Sequence, residues 1–314
     1  MGSYLLRQTL IVMPITLLGA VTLIFLIIHL IPGDPVVGIL GDLYTEEAYL
    51  AMQARLGLDQ PLHVQYLNYL WGLINLDMGV SFQNRRPVFQ NIASQFPYTM
   101  HLAVASLFVA ILVALPAGII AAAKRNRWPD YLSMLIALLA ICTPLYVVGI
   151  ILLLVFSLYL GWLPSFGVGE SGNIASILAH LTLPAITQGA TLAALLARVT
   201  RATFLDVLSQ DYVRTARSKG LREWWVLLRH ALPNTLIPLI TIVGMNVATL
   251  LGGTVIIETV FSRQGVGRLL ISAILSRDYP QIQGTLLVFI FITISANLIV
   301  DILYTLADPR IKYS

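Results

Sequence analysis

The groups from which this 314-residue chain could build a reactive centre are few: three lysines, five histidines, one cysteine and fifteen acidic residues. Lys124, Lys219 and Lys312 lie outside any glycine-rich run of the kind that cradles phosphates, so ATP hydrolysis cannot be placed on this chain. His29, His63, His101, His180 and His230 lack the i, i+4 pairing that puts two imidazoles on one helix face around zinc. Three of them, His29, His101 and His180, fall at the ends of apolar blocks and read as interfacial polar residues. A pore-lining role for one stays open, because an unpartnered imidazole near lipid is costly. Cys142 is alone, which excludes an internal disulfide and a thiolate cluster and leaves a small apolar filler. No Gly-x-Ser-x-Gly elbow occurs and no catalytic dyad falls inside an apolar block, so a membrane hydrolase is not expected. The one acid read as lying near a block is Asp301, within reach of interfacial water, and proton coupling through a buried carboxylate is not expected.

What remains is a cationic, amphipathic run. From Thr200 to Pro233, Phe204, Leu208, Tyr212 and Ala216 recur every four residues, while Arg214, Arg217, Lys219 and Arg222 lie mostly off that stripe. Gly220 ends the first helix, with Arg217 and Lys219 in its last turn, favourable to the carbonyl end. A second helix carrying Trp224, Leu228 and Leu232 runs to a break at Pro233. The product is a surface hairpin, which either rests on anionic lipid or docks on a partner. In the fifth apolar block, Asn246, Thr249 and Thr254 are the polar landmarks and the candidate pore residues.

The elements that must carry these groups are set by composition. Hydrophobic residues make up 58% of the chain and charged ones 11%, with mean hydropathy +0.84, against about 25% charge in an ordinary soluble domain. The apolar residues come in six uncharged blocks: Thr9 to Ile31, Thr99 to Ala123, Tyr131 to Gly161, Ile177 to Ala197, Thr235 to Ile257 and Ile282 to Val300. Each reaches the roughly 20 residues that cross a bilayer as a helix. Pro14, Pro116, Pro144, Pro184 and Pro238 inside them read as kinks, tolerated where neighbouring helices satisfy the freed carbonyls. The first block is too long for a signal h-region and lacks a small-residue cleavage site, so it reads as an anchor. With the N-terminus inside, thirteen basic residues fall on the cytoplasmic side and six outside, which sets N-in and C-in.

The longest external segment, Pro32 to Pro97, predicts a helical lobe. Thr45, Glu46 and Glu47 start one helix that Gly57 ends, and a second begins at Pro61 with Val64, Leu67, Trp71 and Ile74 on one face. Val266 to Ser276 predicts another short amphipathic helix outside. Residues 1–98 are thus the first span plus the lobe, and 99–314 a five-helix core carrying the loop 200–233.

Asp211-Tyr212-Val213-Arg214-Thr215-Ala216-Arg217-Ser218-Lys219-Gly220, followed by Leu232-Pro233, strongly resembles the cytoplasmic loop of the permeases of binding-protein-dependent ABC importers. That family carries Glu-Ala-Ala, a glycine four residues on and a Leu-Pro pair twelve further. Ala216, Gly220, Leu232 and Pro233 match, while Arg214, Thr215 and His230 depart from the usual Glu, Ala and Ile. Ile31-Pro32-Gly33-Asp34-Pro35, Leu56-Gly57-Leu58-Asp59-Gln60-Pro61, Arg277-Asp278-Tyr279-Pro280 and Asp308-Pro309-Arg310-Ile311 are similar to the dipeptide, oligopeptide, nickel and glutathione branch. Arg263-Gln264-Gly265 departs from a usual Trp-Pro-Gly, which implies a different outer turn.

The resemblance implies an all-α bacterial inner-membrane protein with the type I importer permease fold, six transmembrane helices and an outer helical lobe. It implies half a translocation path for a peptide, glutathione or nickel complex. The implied partners are a homologous second permease, two cytoplasmic ATPase subunits that hold the ATP and magnesium, and a soluble binding protein; no cofactor sits on this chain. It further implies that Asp211, Tyr212, Arg214, Thr215, Ala216, Arg217, Lys219 and Gly220 couple to the ATPase. A stand-alone channel or secondary carrier is the alternative.

Overall fold

The structure, a computed structural model, describes residues 7–30, 33–41 and 44–307. Asp308-Pro309-Arg310-Ile311, Ile31, Pro32 and Asp42 lie outside the described residues, as does the side chain of Asp301. The regular structure of the described chain is helical, apart from one isolated antiparallel bridge, Val80 to Pro87. Its helices are α1 (Met13–Leu30), α2 (Pro35–Leu40), α3 (Glu46–Leu56), α4 (Leu62–Ile74), α5 (Val88–Ala123), α6 (Trp128–Cys142), α7 (Leu145–Leu152), α8 (Ile174–Leu208), α9 (Asp211–Ser218), α10 (Glu223–Trp225), α11 (Leu232–Val260), α12 (Val266–Leu275) and α13 (Tyr279–Ala307).

Among the described residues, four stretches are long and apolar enough to cross a membrane: Gln8–Leu30, Val88–Ala123, Pro238–Val260 and Tyr279–Ile299. The expected third span is broken rather than kinked. Pro144 has no N–H to continue the ladder, and α6 and α7 meet at an angle of 109°. Its hydroxyl neighbour Thr143 closes the end of α6 on Leu139 O at 2.7 Å. The expected fourth span lies inside α8, whose 35 residues exceed a bilayer. Thr182, Thr187, Gln188 and Thr191 make it more polar than the others, and it falls outside the set that qualifies on composition, so length and apolarity alone do not give six spans.

Two compact units emerge. One combines residues up to Tyr98 with Gln264–Ile294. In it, Ile24 and Ile28 of α1 are buried with Leu270 and Ala273 of α12 and Ile282 of α13. The lobe forms as its caps dictate: Thr45 Oγ1 accepts from Ala48 N at 3.2 Å, and Gly57 takes φ 69°. Tyr66 of α4 bonds Thr22 of α1 at 2.6 Å, and the expected apolar face faces away, leaving Leu67, Trp71 and Ile74 exposed. Two of the motifs meet here although far apart in sequence: Tyr279 Oη donates to Gly33 O at 3.2 Å. Buried Asp278 accepts from Ser81 Oγ and from Phe82 N at 3.0 Å.

The other unit holds Thr99–Arg263 and residues from Ser295. Its core joins α5, α8 and α11 through Ala110, Ala114, Leu192, Ala193, Leu196, Leu239 and Leu250. The reading of Asp301 as the one acid near a span needs correction. Helix α11 continues past Ile257 to Val260, and Glu258 is fully buried on it, accepting from Thr99 Oγ1 at 2.6 Å. Arg263, also fully buried, donates its N–H to Glu258 O at 2.8 Å and a guanidinium N–H to Gly167 O at 3.4 Å. This is how the outer turn is built where the usual Trp-Pro is missing.

Candidate functional site

The hairpin between α8 and α11 differs from the single amphipathic helix expected up to Gly220. The chain breaks at Ser209 and Gln210, so Phe204 and Leu208 end α8 while α9 is a separate two-turn helix. The break rotates the stripe. Val213 and Ala216 are buried against Val226, with Val207 and Leu208 around them, while Tyr212 is exposed and held by Asn234 Nδ2, which donates to its Oη at 2.6 Å. A second cluster, Ala122, Phe204 and Ala231, roots the hairpin between α5, α8 and the start of α11.

Pro233 does not break the second arm. Residues Val226–Ala231 adopt a π-helical turn that runs directly into α11, with Pro233 in its first turn, where a missing N–H is tolerated. The turn between the arms is closed by Gly220 at φ 75°, with open space where a Cβ would stand. Its role is therefore conformational and not steric.

The outer face of α9 is polar and exposed. Arg217 forms a two-point ion pair with Glu223, Nη2 to Oε1 at 2.6 Å and Nε to Oε2 at 3.1 Å, which bridges the two arms and raises the pKa of the guanidinium. Arg214 reaches Asp211 at only 3.6 Å, and both are largely solvated. Thr215 and Lys219 are exposed as well. So the eight expected coupling residues divide: Ala216 holds the helix to the bundle, Gly220 and Arg217 shape the turn, and Asp211, Tyr212, Arg214, Thr215 and Lys219 face outward.

One clamp nearby escaped the sequence reading. Buried Asp130, in the first turn of α6, takes both Nε and Nη2 of Arg201 on α8, the latter at 2.7 Å, and also accepts from Asn126 N at 3.0 Å. An acid just after Pro129 and an arginine at the end of an apolar block were the available signals. Their pairing was not, since 71 residues separate them.

Deeper in the same unit is a cavity of about 430 Å³ lined by Ile141, Thr143, Gln188, Thr191, Asn246, Thr249 and their apolar neighbours on α6, α8 and α11. Of the candidate pore residues, Asn246 and Thr249 lie on its wall. Thr254 does not, being fully buried with its hydroxyl donating to Leu251 O at 2.7 Å. His29 bonds Phe25 O through Nδ1 at 2.8 Å, and His180 bonds Ser176 O at 2.7 Å. Among the described residues no group of three or more His, Cys, Asp or Glu side chains could hold a metal.

The arrangement is a helical membrane core with a rooted hairpin and a half-open cavity. Residues 114–313 match the family described as binding-protein-dependent transport system inner membrane component, and residues 1–103 match its N-terminal partner family. The chain belongs to this family.

The permease is 44% identical over 313 residues to the glutathione transport system permease protein GsiC of Salmonella typhimurium, covering all of both chains. The Escherichia coli K12 protein of that name matches to the same extent. Among solved structures, the permease fold is similar to a chain of the inward-facing MetNI methionine ABC transporter, with a TM-score of 0.59, 14% identity and coverage of 70% of this chain and 97% of that one. A chain of an amino acid ABC transporter with histidines gives 0.51 at 15% identity, covering 69% and 94%. At such identities these two speak for the fold alone. The permease is an ABC importer subunit of the bacterial inner membrane, in the dipeptide, oligopeptide and glutathione branch, and it is a transport subunit and not an enzyme.

Proposed function

We propose that this permease forms half of a translocation path for a small peptide of the glutathione class, opened and closed through α9 by separate ATPase subunits. A homologous second permease completes the path, and a soluble binding protein delivers the solute. ATP and magnesium are held by the ATPase subunits.

The observation that carries this reading is the two-sided construction of the hairpin. Val213, Ala216 and Val226 fix its inner face to the ends of α8 and α11, so a push on the outer face moves the helices rather than bending the loop. That outer face presents Asp211, Arg214, Thr215 and Lys219 to solvent, with no buried ion pair to absorb them. A lipid-resting helix would instead turn an apolar side outward, and here the apolar side of α9 is spent on the bundle. Full-length identity to glutathione permeases supports the solute class.

The test is purification from detergent-solubilised membranes. The reading expects ATPase subunits to accompany the permease, with vanadate-sensitive ATP hydrolysis that the permease alone lacks. A lone permease that conducts solute without nucleotide would establish a channel or carrier in its place.

A further inference from the structure

Within the membrane-spanning helices, a hydroxyl that meets no water must find a partner, and most here use the carbonyl one turn back. Thr182 donates to Leu178 O, Thr187 to Leu183 O and Thr200 to Leu196 O, each at 2.7 to 2.8 Å. Thr191 and Thr249 depart from this rule: neither hydroxyl makes a hydrogen bond, both residues are exposed, and both stand on the wall of the 430 Å³ cavity.

Two amides on the same wall are half-used. Gln188 is 3% exposed; its Nε2 donates to Leu250 O at 2.7 Å, which orients the amide, and its Oε1 is buried with no protein partner. Asn246 spends Nδ2 on Ile242 O at 2.8 Å and keeps Oδ1. A buried acceptor left without a donor is costly unless something else supplies one. No Asp, Glu, Lys, Arg or His lines this cavity.

We infer that this cavity is a solute-contact subsite, and that Asn246, Thr191 and Thr249, on a wall where Gln188 ties α8 to α11, read the backbone N–H and C=O groups of a passing peptide through neutral hydrogen bonds. The inference rests on the reading of the chain as half of a translocation path, and adds how the path recognises its cargo. The Asn246 amide oxygen accepts from N–H donors, and the hydroxyls serve either partner. A wall without fixed charge gives no strong counter-ion to either end of a zwitterion. The contact is then favourable enough to admit the solute and weak enough to release it.

The test uses the complete importer in proteoliposomes, with S-methylglutathione as probe because it carries no free thiol. In a Cys142→Ser background, Thr191→Cys and Thr249→Cys are expected to react with a charged thiol reagent, at a rate lowered about fivefold or more when binding protein, ATP and probe are present. The double variant Thr191→Val, Thr249→Val is expected to lower uptake per ATP hydrolysed by about fivefold to tenfold, the loss of one or two ordinary hydrogen bonds. Cysteines that fail to react, or react equally with and without probe, overturn the inference, as does undiminished uptake by the double variant. Absence of ATP-driven uptake by the unaltered importer overturns the functional reading itself, and this inference with it.

Discussion

Gly220 and Asp130 stand at opposite ends of what one residue can reveal. At Gly220 the backbone has φ 75° with open space around a notional Cβ, so a side chain is opposed by conformation alone. Gly220→Val should therefore cost roughly 1–2 kcal/mol at the turn and lower solute-stimulated ATP hydrolysis severalfold, while Gly220→Asn, which tolerates the left-handed region, should stay near the unaltered rate. Equal effects from Val and Asn would show that shape at this turn is irrelevant. Asp130 is held by geometry: its carboxylate is nearly fully buried and takes the Arg201 fork. Asp130→Asn should lower the stability of the purified complex by about 2 kcal/mol, less than for a fully buried pair because Arg201 keeps some solvent. Thermal unfolding of the two complexes measures it. Gly220 was legible in the sequence because its reason is local. The Asp130 pair was not, because its reason is a partner on another helix.

At the scale of elements, caps and apolar blocks were legible and their joints were not. Thr45 and Gly57 bound α3 as their types require, and the first, second, fifth and sixth blocks correspond to helices long and apolar enough to span. A four-residue stripe, however, runs equally well through one helix or two, and nothing in Phe204, Leu208, Tyr212 and Ala216 announced the break at Ser209. Pro233 misled in the other direction, since the π-turn before it lets the helix pass through. Helix contacts add a constraint that sequence periodicity misses. A Cβ on Gly189 of α8 would stand 2.7 Å from Ser106 O of α5, so the two backbones touch there. Gly189→Val should force α5 and α8 apart and abolish a stable complex in size-exclusion chromatography. Gly19→Val, with nothing within 4 Å, should elute as the unaltered protein does.

For the whole molecule, charge was the most informative quantity. Sorted by six spans with the N-terminus inside, thirteen basic residues fall on one side and six on the other, an expectation that gives the chain a direction and puts the hairpin inside. The solute was not legible, since the blocks that cross the bilayer are apolar by necessity and offer only a few amides and hydroxyls. Gln188, one polar residue in an apolar block, gains meaning only from the tie its amide makes to Leu250 O beside the cavity. The outward face of α9 is proposed to meet an ATPase across the cytoplasmic surface. A photoreactive side chain placed at Arg214 in the intact importer should then form a covalent adduct with an ATPase subunit on illumination. Adducts with lipid alone, or labelling of that position from the outer side of sealed cells, would contradict it.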